Sequence, residues 1–246
     1  MSDQINRAAI VTGGSKGIGA EISKRLASDG IAVAVNYARG KDDAEAVVRA
    51  IEAAGGRAVA IQADVGDPAG MPALFDAAEK AFGGLDILVN NAGVMKLAPI
   101  SEADDASFDS QVAINIGGVF RGMREGGRRL REGGRIINVS TSVVGLSLPA
   151  YGIYAATKAA VETLTRIQAK ELGPRGIRVN AAAPGPVETE LFLTGKSEAL
   201  VESMRKMIPL GRLGQPQDIA GVVSFLAGPD SAWVNGQVIR ANGGVV

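Results

Sequence analysis

Tyr154 and Lys158 stand four residues apart in a stretch with helical periodicity, so their side chains rise from one face of a helix, one turn apart. A phenol with an ordinary pKa of about 10 is a poor acid at neutral pH, and a neighbouring ammonium favours its phenolate. Bringing such a phenol down to about 7 takes roughly 4 kcal/mol of differential stabilisation. The 246-residue chain has no histidine and no cysteine, which excludes Ser-His and Cys-His triads, thiol nucleophiles, disulfides and Cys or His metal sites. Among the acids and bases that remain, the Tyr154/Lys158 pair is the strongest candidate for proton transfer.

A second cluster, Thr12-Gly13-Gly14-Ser15-Lys16-Gly17-Ile18-Gly19, joins the apolar run Ala8–Thr12 to a helical pattern over Gly17–Asp29. Gly13, Gly17 and Gly19 permit a tight turn, close approach of backbone to a pyrophosphate, and close helix-on-strand packing, with the anion at a helix N-terminus. Because the apolar run Ile31–Tyr37 follows as a second strand, the cluster sits at the first turn of a βαβ unit, the setting in which it binds a dinucleotide. An acidic residue ending that second strand would hold the adenosine ribose hydroxyls and repel a 2′-phosphate, but the segment reads Asn36-Tyr37-Ala38-Arg39. Arg39 and Lys16 are placed to neutralise a 2′-phosphate, so NADP(H) is expected in preference to NAD(H).

Positioning these groups calls for alternating strands and helices, and the chain supplies them. Helices are expected over Asp42–Ala54, Pro72–Phe82, Phe108–Arg131, Ile153–Leu172 and Pro216–Leu226, with a loop and helix across Val187–Leu210. Strands fall at Arg57–Gln62, Leu85–Val89, Arg135–Ser140, Ile177–Asn180 and Gln237–Arg240. Seven strands separated by crossover helices make one doubly wound α/β fold, a parallel sheet with helices on both faces. No repeat or linker divides the chain, so a single domain over 1–246 is expected.

The glycine spacing Thr-Gly-x-x-x-Gly-x-Gly resembles that of the short-chain dehydrogenases/reductases. Further motifs of that family follow in order: Asp64-Val65, Asn90-Asn91-Ala92-Gly93, Asn115, Tyr154-Ala155-Ala156-Thr157-Lys158 and Pro184-Gly185. The resemblance implies a Rossmann fold and a catalytic tetrad of Asn115, a hydroxyl residue, Tyr154 as acid/base and Lys158 as its modulator. In the family the Asn kinks its helix and the hydroxyl residue holds the substrate oxygen. For that hydroxyl, thirteen positions back from Tyr154 lands on Thr141, whereas the Ser-x-x-Gly context of Ser142-Val143-Val144-Gly145 points to Ser142, the slightly favoured choice. The family's cofactor contacts carry over to Gly13, Ser15, Lys16, Gly17, Ile18, Gly19, the Asn36–Arg39 segment, Asp64, Val65, Asn91, Ala92 and Gly93. Pro184, Gly185, Val187 and Thr189 fall where the family lines the nicotinamide, and about 187–210 resembles a mobile substrate lid.

Met95, Val143, Val144, Pro186 and Phe192 suggest an apolar substrate pocket. The implied activity is reversible NADPH-dependent reduction of a ketone or aldehyde; 3-oxoacyl-carrier-protein reductase, sugar dehydrogenase and a non-enzymatic NADP(H) sensor remain alternatives. Arg121, Arg124, Arg128 and Arg131 recur at helical spacing, as a solvated or subunit-facing stripe or a dock for an acidic carrier protein. The family implies a homotetramer. With 26 basic and 26 acidic residues, no general grip on nucleic acid or anionic membrane is expected. No metal is expected. A polar Met1–Arg7 and the lack of an apolar run of roughly 18–20 residues point to a cytoplasmic protein.

Overall fold

The structure, a computed structural model, describes residues 7–246; residues 1–6, and with them most of the polar start read above, lie outside the described residues. The inner strands are largely apolar and buried, whereas the two at the sheet's edges are only partly covered. Alternate side chains point to opposite faces, so Ala9 and Val11 of β1 (Ala8–Val11) enter one core while Ala8 and Ile10 enter the other. Burial on both faces is why these strands read as continuous apolar runs.

The parallel sheet has the order β3-β2-β1-β4-β5-β6-β7, with β2 at Ala32–Tyr37, β3 at Ala58–Gln62, β4 at Leu85–Asn90, β5 at Leu130–Val139, β6 at Arg178–Pro184 and β7 at Val238–Ala241. One core packs Ile22 and Leu26 of α1 (Gly17–Ser28), Val47 and Ile51 of α2 (Lys41–Ala53) and Val223 and Leu226 of α10 (Pro216–Ala227) on the sheet. The other packs Leu74 and Phe75 of α3 (Gly70–Phe82), Met123 of α5 (Val119–Arg129) and Val161 of α7 (Gly152–Glu171). The chain winds outward in opposite directions from β1 and β4, which opens a crevice beyond their carboxyl ends.

Two expectations are corrected here. The single helix over Phe108–Arg131 is instead α4 (Asp105–Gln111), capped by Asp104 accepting from the Ser107 amide at 2.6 Å, then a π-helical segment Val112–Gly118, then α5. It stops at Arg129 because Leu130 already pairs with Leu85, and Arg131 turns back to Asp86 at 3.1 Å. The basic stripe is therefore neither continuous nor free. Arg121 donates to the carbonyls of Val65 and Gly66, Arg124 and Arg128 face Glu125, and Arg129 pairs with Asp76 and Glu79. The strand expected over Ile177–Asn180 runs on to Pro184, since Ala181, Ala182 and Ala183 are small enough to be buried between the sheet's two helical layers.

Between β6 and α10, two short helices, α8 (Glu190–Leu193) and α9 (Glu198–Lys206), stand over the carboxyl end of the sheet. No helix among the described residues is long and apolar enough to cross a membrane.

Candidate active site

The glycine cluster forms the turn between β1 and α1, and the carboxyl ends of β2 and β3 and the loop after β4 lock around it. The Thr12 hydroxyl accepts from the amides of Asn91 (2.9 Å) and Ala92 (3.0 Å), and Asn91 Nδ2 donates to the Thr12 carbonyl at 2.9 Å. Asn36 Oδ1 accepts from the Gly13 amide at 3.2 Å while its Nδ2 donates to the Ile61 and Ala63 carbonyls. Gly19 must be glycine, because a Cβ there would overlap the Gly13 carbonyl oxygen and the Asn91 side-chain amide. Thr12 and Asn36 thus preorganise the turn by spending their own polar atoms on backbone.

A cleft of about 1550 Å³ runs from this turn to the end of β5 and the α8–α9 segment. Its walls take in every residue expected above at the cofactor and substrate positions except Tyr37, Arg39 and Val144, and they include Thr141, Ser142, Tyr154 and Lys158. Tyr37 is a correction: its side chain is buried in the core beside α1 and α2. Val144 is another, since the one-turn helix α6 (Val143–Leu146) presents Val143 and Leu146 to the cleft instead. Arg39 is exposed on the turn beyond β2, outside the cleft wall. Lys16 lies in the wall, paired with Asp43 at 3.2 Å and Glu190 at 3.8 Å. The sequence reading missed Tyr151, which lines the cleft one helical turn before Tyr154; its only sequence signal is that spacing.

At the inner end, Asn115 sits in the π-helical segment, fully buried behind the cleft wall. Its amide accepts from the Val94 N–H and donates to the Val94 carbonyl, both at 2.9 Å, and reaches Thr157 Oγ1 at 3.2 Å. The wide π turn brings this side chain to the strand-end loop and to α7 together. Lys158 Nζ donates to the Val139 carbonyl at 2.7 Å.

Of the two candidates, Thr141 is the hydroxyl that acts on the Tyr154 phenol. The geometry points to Thr141, the alternative, rather than to the favoured Ser142 as the hydroxyl beside the phenol. The amides of Ser140 and Ser142 donate to the Ala182 and Pro184 carbonyls, both at 2.8 Å, so extended pairing with β6 continues past Val139. Side chains alternate in such a segment, and Thr141 faces away from its neighbours. The Ser142 hydroxyl instead meets the Ala183 carbonyl (3.2 Å) and Asn242 (3.0 Å).

Burial pushes the Tyr154 phenol up to about 12, opposed in part by its contact with Thr141. Lys158 does not draw it down, as the spacing suggested, because its Nζ is turned to Val139 and lies 5.9 Å from the Tyr154 ring centre. Tyr154 is therefore protonated throughout the neutral range. Burial also pushes Lys158 down to about 8. Its charged form is thus disfavoured by folding: the penalty is full below pH 8 and fades as pH rises toward the ordinary lysine range, where the unfolded chain also loses the proton. Relieving that shift is worth about 3 kcal/mol, less about 1 for the lost bond to Val139. Lys158→Met is accordingly expected to raise Tm by several degrees at pH 7 and by much less at pH 10, measured by thermal unfolding without cofactor. A lower Tm at pH 7 would refute it.

A sequence model of the family described as Enoyl-(Acyl carrier protein) reductase matches residues 13–246. An uncharacterized oxidoreductase of Methylorubrum extorquens is 47% identical over the whole of both chains. The chain is a short-chain dehydrogenase/reductase. As a member of this oxidoreductase family it is also similar to an NADPH-dependent aldehyde reductase-like protein of Arabidopsis thaliana, at 42% identity over 98% of this chain and 94% of that one. A short-chain dehydrogenase of Burkholderia cenocepacia, solved in complex with NADP, superimposes with a TM-score of 0.93 at 38% identity, covering 98% of each chain. The seven-stranded Rossmann sheet is common to both structures.

Proposed function

We propose that this short-chain dehydrogenase/reductase reversibly reduces a ketone or aldehyde to an alcohol with NADPH. The observation that carries the reading is that Thr141 and a protonated Tyr154 share the inner end of the cleft, with Lys158 one turn along α7. NADPH, when bound, supplies the hydride. The groups present suit it: a glycine turn whose Gly19 leaves no room for a side chain, the N-terminus of α1, and a continuous cleft large enough for a dinucleotide and a small carbonyl compound.

In this reading Thr141 holds the substrate oxygen and the Tyr154 Oη proton passes to that oxygen as its charge develops. Lys158, held by Val139 and charged below about pH 8, lines the cleft one turn along α7 without lowering the phenol's pKa. Asn115 keeps Val94 and Thr157 in register with that helix. The 187–210 segment, whose Val187, Thr189 and Phe192 line the cleft, closes over the substrate. Oxidation of NADPH with a panel of ketones, aldehydes, sugars, β-keto esters and acyl thioesters tests the reading. Firm NADPH binding with no turnover of any of them would favour a sensor instead.

Preference for NADP(H) rests on Arg39, which has no ion-pair partner among the described residues, and on the lack of an acid at the end of β2. Lys16 adds less than its position suggested, because it already has two carboxylate neighbours. We expect Arg39→Ala to weaken NADPH by about 1–3 kcal/mol while NADH barely changes. Equal losses in kcat/KM for the two cofactors would count against a 2′-phosphate contact.

The homotetramer is proposed on two separate exposed apolar areas. Phe108, Phe120 and Ile167 emerge from the packed helices α4, α5 and α7, while Phe225 lies on α10 in the opposite helical layer and Trp233, 99% exposed, in the loop that follows it. Two self-complementary faces generate a closed assembly of four. Light scattering should give about four times the 25.2 kDa chain mass; a monomer at micromolar concentration would exclude it.

A further inference from the structure

Three consecutive hydroxyls, Ser140, Thr141 and Ser142, close the end of β5, and each is engaged by a different partner. Ser140 donates to Glu162 of α7 at 2.7 Å, and Thr141 faces Tyr154. Ser142 donates to the Ala183 carbonyl of β6 and accepts from Asn242 Nδ2 at 3.0 Å. Asn242 follows β7 directly and is one hundred positions away in the chain.

Asn242 is itself rigidly held. Its Oδ1 accepts from the Gly244 amide and its Nδ2 also donates to the Val246 carbonyl, both at 3.0 Å. It presses on a second wall of the cleft as well: the Gly185 amide donates to the Ala241 carbonyl at 3.0 Å, and a Cβ on Gly185 would meet the Asn242 Cα and Cβ at 2.8 Å. One side chain thus touches both the loop that carries Thr141 and the Pro184–Gly185 segment.

The loop needs such a hold. Past Ser142 the ladder with β6 ends, and the following helix α6 is a single turn whose N-cap, Ser142, makes no capping bond of its own. Its hydroxyl is committed across the sheet instead. A hydroxyl that must meet developing charge has to be fixed within a fraction of an ångström by its supporting residues.

We propose that Asn242 is a positioning residue for the reduction, acting through Ser142 to hold Thr141 in place. The inference rests on the reading that Thr141 binds the substrate oxygen. Asn242→Ala and Ser142→Ala should each lower kcat about tenfold per NADPH-binding site, with KM for NADPH within twofold. Because both remove one hydrogen bond, the double variant should be no slower than the slower single. Ser142→Thr, which keeps the hydroxyl, should recover most of the rate. Without cofactor, amide hydrogen exchange in Asn242→Ala should quicken at 140–146 and 184–186 while the core of the sheet is unchanged.

The inference is overturned if Asn242→Ala keeps kcat within twofold, if the two single losses multiply in the double variant, or if exchange at 140–146 is unaltered. It is also overturned if Tm falls while kcat per NADPH-binding site is intact, the result of a merely structural role. Should Asn242→Ala not fold, Ser142→Ala removes the same bond from the other side and carries the same kinetic and exchange outcomes. Thr141→Ala separates the two readings: full activity there overturns both, whereas an inactive Thr141→Ala beside a fully active Asn242→Ala overturns this one alone.

Discussion

Tyr154→Phe is expected to lower kcat about a thousandfold while NADPH affinity stays within twofold. The substitution removes one oxygen and keeps the ring, so the packing of α7 and the cleft wall is preserved. The chain has no histidine, and Tyr154 is the phenol that shares the cleft end with Thr141, so it is the group best placed to protonate the product oxygen. A pKa near 12 means that the proton is present across the neutral range, and general-acid loss of this kind costs 10²–10⁴-fold. Stopped-flow or steady-state NADPH oxidation, with cofactor affinity from fluorescence titration, measures both quantities. Residual activity above about a tenth of wild type, a loss under 1.4 kcal/mol, would show that another acid serves. Tyr151 would then be the first to examine, since it lies in the same cleft and its own phenol is raised by burial.

Thr141→Ala should be the next most damaging change, by about 3–4 kcal/mol in transition-state stabilisation, as for the loss of an oxyanion donor. Ser142→Ala should cost only about tenfold, because the Ser142 hydroxyl is turned to Ala183 and Asn242 and reaches Thr141 only through the backbone. The comparison is informative because the two residues are adjacent, similar in size and both buried. Measuring kcat/KM for one carbonyl substrate with both variants decides it, and the reverse ranking would refute the assignment to Thr141.

The two positions also show where sequence reasoning reaches its limit. Counting back from Tyr154 led to Thr141 and local context led to Ser142, and neither count contains the register of β5 on β6. In an extended segment a shift of one residue exchanges the faces on which side chains lie. The pairing of Ser140 with Ala182 and of Ser142 with Pro184 settles that register, and both bonds span more than forty positions. Tyr37 was misread for a related reason. It ends β2 at the right point in the chain, but the pleat turns it into the core, and its neighbour Ala38 reaches the cleft.

What the sequence by itself determined was whatever depends on near neighbours along the chain. The βαβ opening follows from the order of short apolar runs and one helical pattern, and the glycine turn and the shared helical face of Tyr154 and Lys158 follow from spacings of eight residues or fewer. Periodicity placed most elements within a few residues for the same reason, and at 108–131 it overran by two residues, because Leu130 is drawn into the sheet by a partner in β4. Only the tertiary structure decided the proton affinities and the supports of the site. Tyr154 is pushed up and Lys158 down by burial, a property of everything packed around them, and this outweighs the one-turn proximity that suggested the opposite for the phenol. Asn242 meets Ser142 because β7 lies beside β6 in the sheet, an adjacency set by winding direction and by burial on both faces rather than by any local signal.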